Sequence, residues 1–224
     1  MKLKDTARLC ECGDPITLDH LLICKTGGYV SLRHDSLRDL FAELLRVAGC
    51  RDVVVEPSLL PTAGVQLPQG STTEDNARLD VSARSIWSPL ERAFLDIRVF
   101  HAQAPTNRAY GTVEKMYKAH EKLKKTKYNQ RVLQVEHATF TPVVFSTTGG
   151  AGQEAKKLVK KIAEKTTRKT GQSYADVMKF LRTRLRFDLL RTTTIALRGA
   201  RGKKTPRPVN VEELDMNLVP EGRE

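Results

Sequence analysis

The run Phe94-Leu95-Asp96-Ile97-Arg98-Val99-Phe100 sets the tightest limit on what this chain can become. Residues 93–100 are apolar enough to form a buried strand, yet a carboxylate sits at their centre. Burying a charged carboxylate is expensive unless something neutralises it. A second acid, Asp80, lies in the preceding run Ala77-Arg78-Leu79-Asp80-Val81, which alternates polar and apolar residues as a half-buried strand does. One such Asp is an ordinary strand-end or salt-bridged residue. Two on neighbouring strands point to a shared divalent cation. Mg²⁺ fits, because it is hard, prefers oxygen, and takes one or two protein carboxylates together with phosphate and water.

A cation of the chain's own comes from the helix expected over residues 112–136. At about 100° per residue, Lys115, Lys118, Lys122, Lys125 and Asn129 share a polar side and are expected to be solvated. Lys124 instead projects with Val113, Tyr117, His120, Tyr128 and Val135, on the side expected to face the sheet. A lysine in an apolar stripe needs a partner, and two inward carboxylates supply one. Two acids that hold a metal, plus a lysine that stabilises charge on an attacked phosphate, make a nuclease constellation. Its members are Asp80, Asp96 and Lys124, with Tyr128 and His120 as positioning or packing residues.

The N-terminal segment carries different chemistry. Cys10, Cys12, His20 and Cys24 follow a C-x-C-x7-H-x3-C spacing, and Gly13 allows the tight turn that a close cysteine pair needs. Three thiolates and an imidazole suit a closed, tetrahedral Zn²⁺ site of structural type. Zinc loss is expected to unfold this segment while sparing the core. Cys50 stands alone in apolar surroundings and is expected in the core.

With 224 residues, 40% of them hydrophobic, the chain is long enough for one sizeable core. Its net charge of +12 favours a polyanionic partner, nucleic acid before anionic membrane. No apolar run reaches bilayer length, and Met1-Lys2-Leu3-Lys4-Asp5 has no signal-peptide core, so a soluble, intracellular protein with no membrane partner is expected. The expected organisation is a knuckle over residues 1–28, an α/β domain with a mixed central sheet flanked by helices over 29–200, and a basic and acidic tail over 201–224, expected to be disordered.

Several stretches bear on binding. Arg33 and His34 open an amphipathic helix, either exposed toward phosphate or as a helix-end polar pair. Glu56 ends a strand and either joins the acids or faces water. Residues 58–76 are rich in Gly, Pro, Ser and Thr and are expected to form a long mobile loop near the site. Lys156, Lys157 and Lys160 lie on the basic side of a later helix that could run along a nucleic-acid backbone. The Gly-rich segment before that helix is expected to be a tight turn rather than a phosphate cradle.

An Asp on each of two adjacent strands followed by a lysine, in this order of elements, resembles the PD-(D/E)-x-K nucleases, the restriction-endonuclease-like fold. Closest is the restriction-enzyme-like endonuclease at the C-terminus of certain non-LTR retrotransposon polyproteins, in which a CCHC zinc knuckle precedes the nuclease. Cys10, Cys12, His20 and Cys24 match that knuckle, and Arg33-His34 resembles the pair that follows it. Asp80 and Asp96 match the two acids. Lys124-Lys125-Thr126-Lys127-Tyr128 fits the K-x-x-K-Y motif in which the lysine has moved from strand to helix, with Lys127 beside nucleic acid. The resemblance spans roughly residues 9–201. Leu79 replaces the usual proline before the first acid, and Arg98 stands where the ordinary fold has its strand lysine. The resemblance implies a Mg²⁺-dependent endonuclease that nicks target DNA to prime reverse transcription. It also implies a place in a larger polyprotein, with duplex DNA and the element's RNA as partners. The alternative is a catalytically inactive, nucleic-acid-binding relic of such a domain.

Overall fold

A computed structural model of the chain describes residues 9–199; the expected tail over 201–224 lies outside the described residues. A short helix, α1 (Leu18–Ile23), is capped by the Thr17 hydroxyl, which accepts from the His20 amide at 3.1 Å. Helix α2 (Tyr29–Val47) starts after Gly28, whose φ of 74° is a left-handed conformation that glycine adopts freely. Strands β1 (Arg51–Val55), β2 (Val81–Arg84) and β3 (Arg92–Phe100) follow, then a 3-10 turn (Pro105–Tyr110) and helix α3 (Val113–Val135). Strand β4 (Thr139–Ser146) and helices α4 (Gln153–Thr170) and α5 (Tyr174–Arg198) complete the order.

The four strands form one mixed sheet in the order β1-β2-β3-β4, antiparallel except for the parallel pair β3–β4. Parallel neighbours need a crossover, and α3 provides it. The alternation of β3 explains the layers. Ala93, Leu95 and Ile97 join Leu37, Phe41, Leu45, Leu158, Ile162 and Leu185 in a core under α2, α4 and α5. Phe94 and Phe100 point the other way, into two smaller clusters with Tyr128, Val132 and Met116 of α3. Asp96 and Arg98 lie between those two phenylalanines on the same strand face, so the sheet alternation aims both at α3. The mixed α/β sheet flanked by helices is as the sequence predicts. Among the described residues, no helix is long and apolar enough to cross a membrane.

Three expectations are corrected here. Asp80 is not inside a strand; it immediately precedes β2. Residues before it pair irregularly with the segment after β1, through Leu59 N to Ala77 O and Leu79 N to Pro57 O, because Glu56 turns the chain with a φ of 52°. Val113 of α3 is exposed rather than sheet-facing, since the helix begins there, away from the core. The segment 58–76 is anchored, not loose. Arg131 of α3 is fully buried and donates to the carbonyls of Thr72, Glu74 and Leu60 at 3.2, 2.8 and 3.0 Å. Thr72 N donates in addition to Lys127 O at 2.9 Å. Trp87 is a packing residue, its indole N–H on Thr141 Oγ1 at 3.1 Å, and Cys50 is buried in the core.

A guanidinium serving three carbonyls leaves all three short of donors when removed, and each unsatisfied buried group costs about 1–3 kcal/mol. Arg131→Ala is expected to lower stability in urea by about 3 kcal/mol and to open residues 58–76 to proteolysis. A loss below about 1 kcal/mol with unchanged cleavage would contradict the anchoring role.

Candidate active site and candidate metal centre

Asp96 is 5% exposed, and Lys124 Nζ lies 2.6 Å from its Oδ2. The pair is short but poorly aligned, so Oδ2 has no hydrogen-bond donor in good geometry. Burial holds the Asp96 carboxyl above the usual carboxylate range; the Lys124 ammonium opposes that rise and the Asp80 charge adds to it. One lysine therefore does not offset the loss of water. Lys124 itself is held over the Tyr128 ring at 5.8 Å, with Lys127 at 5.2 Å, and Tyr128 packs on Phe140 at 5.7 Å. Tyr128 is thus buried and positions two amines.

Asp80 is fixed from two sides. Its Oδ2 accepts from the backbone N–H of Ile97 at 2.5 Å and lies 3.2 Å from His34 Nε2. The first bond ties the carboxylate to the residue directly after Asp96. The bond to Asp80 raises the His34 pKa to about 9 against the opposing effect of burial, so at neutral pH the ring is protonated and Nε2 donates. Glu56 is committed elsewhere, to Arg38 Nη1 at 2.5 Å, and Arg38 also meets Asp35 and Asp39. Glu56 thus stands apart from Asp80 and Asp96. The two acids are linked through the Ile97 N–H, and the Asp80 charge adds to the rise at Asp96.

A cleft of about 750 Å³ beside Lys124 is lined by Arg98, Tyr110, Lys122, Lys124, Thr126 and Lys127, among others, and by neither acid. Sequence reasoning gave Arg98 no role, although two residues beyond Asp96 on a strand puts it on the same face. It is half-buried and has no ion-pair partner among the described residues. Lys122 is exposed as expected and also borders the cleft. Lys125 is not merely solvated, since it bridges to Glu154 of α4 at 2.8 Å.

The second constellation is the cluster Cys10, Cys12, His20 and Cys24, whose ligand atoms all lie within 4.8 Å of one another. Cys10 Sγ to Cys24 Sγ is 3.8 Å, Cys12 Sγ to Cys24 Sγ 3.7 Å, and Cys12 Sγ to His20 Nε2 3.4 Å. Ligands about 2.0–2.3 Å from a tetrahedral Zn²⁺ are separated by about 3.5–3.8 Å, so the cluster could hold a metal ion and is consistent with structural zinc. The hairpin Cys10 N to Asp14 O, with Gly13 at φ 93°, presents two thiols; α1 presents the imidazole and, at its C-cap, the third thiol. Asp14 Oδ2 lies 3.6 Å from His20 Nδ1, where it can orient the ring.

The remaining candidates are dispersed. Arg33 is corrected: it is 2% exposed, with Nη2 on Leu22 O at 2.9 Å, so it cannot meet phosphate from the surface. The reason is that α2 begins at Tyr29, so Arg33 lies inside the helix rather than opening it and reaches back to α1. Lys127, Lys156, Lys157 and Lys160 are exposed. The three α4 lysines border a separate groove of about 730 Å³, where Arg182 and Arg186 of α5 join them. The turn before α4 is not a phosphate cradle, because Glu121 Oε1 already accepts from the Glu154 amide at 3.0 Å. No protein-family model matches the chain, and no curated protein matches it either.

His120 lies beside the acid pair's cations. It is 3% exposed, its ring packs on Phe100 at 4.6 Å, and Nε2 donates to Asn107 Oδ1 at 3.0 Å. Burial first, then the charges of Arg98 and Lys124, push its pKa down to about 4. The unfolded chain takes up this proton near pH 6.5, before the folded one does. Stability is therefore full above that pH and is lost as pH falls toward 4, by on the order of 2–3 kcal/mol. Urea unfolding across pH 4–7 is expected to show this slope in the native chain and a shallower one in His120→Gln. Equal slopes would refute a buried neutral imidazole.

Proposed function

We propose that the chain is a Mg²⁺-dependent DNA endonuclease domain of the restriction-endonuclease-like kind, carrying a CCHC zinc knuckle. Its role would be to nick target duplex as part of a retrotransposon polyprotein acting in the nucleus, with the element's RNA as a second partner. The observation that carries this reading is the ion pair between buried Asp96 and Lys124, whose side chain also lines a cationic cleft, with the Asp80 carboxylate bound to the N–H of the residue after Asp96. A metal site beside a lysine that lines a basic cleft is what phosphodiester hydrolysis needs: neutralisation of one phosphate and a grip on its neighbours.

A bound Mg²⁺, held by Asp80 and Asp96, would supply charge neutralisation at the scissile phosphate and activation of water. The chain's own groups do the rest. The Lys124 ammonium, steadied over Tyr128, faces the developing negative charge. The guanidinium of Arg98, which has no ion-pair partner among the described residues, would take a second, bidentate grip on phosphate oxygens. Lys122 and Lys127 at the mouth, and Lys156, Lys157 and Lys160 on α4, would hold the backbone through salt-sensitive contacts. The rival, an inactive binding relic, has its own support: Lys124 already partly neutralises Asp96, as a retained structural salt bridge would.

Plasmid nicking separates the two. Supercoiled DNA is expected to be nicked with Mg²⁺ and not with EDTA. Lys124→Met is expected to slow nicking by about 10²–10³-fold while changing DNA affinity little. Tight, salt-dependent binding with no Mg²⁺-dependent nicking in the native chain would favour the relic.

A further inference from the structure

Arg33 and His34 are consecutive on α2, about 100° apart around the helix, and they reach in different directions. Arg33 reaches back to α1. It holds Leu22 O, one of the carbonyls that a helix leaves without an internal partner at its C-terminus, and does so from full burial. That end of α1 carries Cys24, and the preceding turn carries His20. His34 reaches forward, with Nε2 3.2 Å from Asp80 Oδ2 and Nδ1 3.1 Å from Asp35 Oδ1. One dipeptide thus touches both the Cys/His cluster's helix and the first acid.

A second tie runs in parallel. His101, directly after β3, is buried; its Nε2 lies 2.9 Å from Asp19 Oδ1, the residue before His20, and its Nδ1 lies 2.8 Å from Thr147 Oγ1. The knuckle is therefore fastened to α2, which bears His34, and to the end of the strand that bears Asp96.

We propose that His34 is a positioning residue for Asp80 and that the Cys/His knuckle sets its place through Arg33, so that metal in the knuckle tunes divalent-cation affinity at the acid pair. The inference rests on the reading of Asp80 and Asp96 as a divalent-cation pair. Physically, a carboxylate ligand needs its non-coordinating lone pairs held by donors, and Asp80 has two, Ile97 N–H and His34. The backbone donor is fixed by the sheet. The imidazole is carried by the first turns of α2, which Arg33 ties to the end of α1. Without metal, the four ligand side chains lose the bonds that close the knuckle, Leu22 O is released, and Arg33 is left buried without its acceptor. Partners that orient a ligand in this way are worth about 10–100-fold in metal affinity.

The test uses the full chain and Mn²⁺ alone as the probe, with free Mn²⁺ followed by electron paramagnetic resonance. Asp96→Ala defines which binding belongs to the acid pair, and hydrogen exchange of β3 and α3 confirms that the core stays folded in each sample. Mn²⁺ affinity is expected to fall about tenfold in His34→Ala, in Arg33→Met and in protein stripped of its knuckle metal. It is expected to return to near the native value in His34→Gln, whose side-chain amide can still donate to Asp80. Mn²⁺ binding that depends on Asp96 yet is unchanged by all three perturbations would overturn the coupling while leaving the acid-pair reading intact. Native protein with no Asp96-dependent Mn²⁺ binding would overturn the acid-pair reading and the coupling with it.

Discussion

Asp96 has given up nearly all of its water, and its surroundings are arranged around that loss. The β3 alternation puts Leu95 and Ile97 into the main core, so the strand cannot rotate to expose the carboxylate without unburying them, at about 1.5–3 kcal/mol for each side chain. The register with β2 and β4 holds the strand from both sides. The carboxylate must therefore be met where it is. Lys124 meets it from α3, and Asp80 is bound to the next backbone N–H. The carboxyl is still held above its usual range, because burial outweighs the Lys124 charge and the Asp80 charge adds to the rise.

The rest of the molecule positions the partners of that group. Helix α3 is the crossover between two parallel strands, so its location is set by topology, and Lys124 inherits it. The same helix carries Arg131, which gathers the segment 58–76 against α3, where Gly70 and Thr126 border one cleft. On the other side of the sheet, α2 brings His34 to Asp80 and, through Arg33, holds the end of α1 beside the Cys/His cluster. Elements far apart in sequence converge on one carboxylate pair.

How much of this was legible depends on the range of the interaction. The C-x-C-x7-H-x3-C spacing encodes its own local geometry, and the four ligand atoms do cluster. The apolar run around it placed Asp96 on a buried strand, and period-3.6 placed Lys124 on the inner side of its helix. Arg131, Arg33 and Arg98 were not legible in that way. Their roles depend on which distant carbonyl or cavity lies opposite, and a hydropathy pattern scores every arginine as surface. The segment 58–76 has the composition of a mobile loop, yet its carbonyls are satisfied by a buried guanidinium more than fifty residues away. Asp80 was placed correctly beside Asp96 but in the wrong local structure, since alternation cannot sense the turn at Glu56.

The most direct test of the central claim is a crystal structure of the full chain soaked in Mn²⁺ and measured at the manganese absorption edge. The account predicts an anomalous peak about 2.1 Å from a carboxylate oxygen of both Asp80 and Asp96, with the Lys124 amine displaced from Oδ2 but still in the cleft. A Mn²⁺-saturated crystal with no peak there, and Lys124 still seated on Asp96, would contradict it.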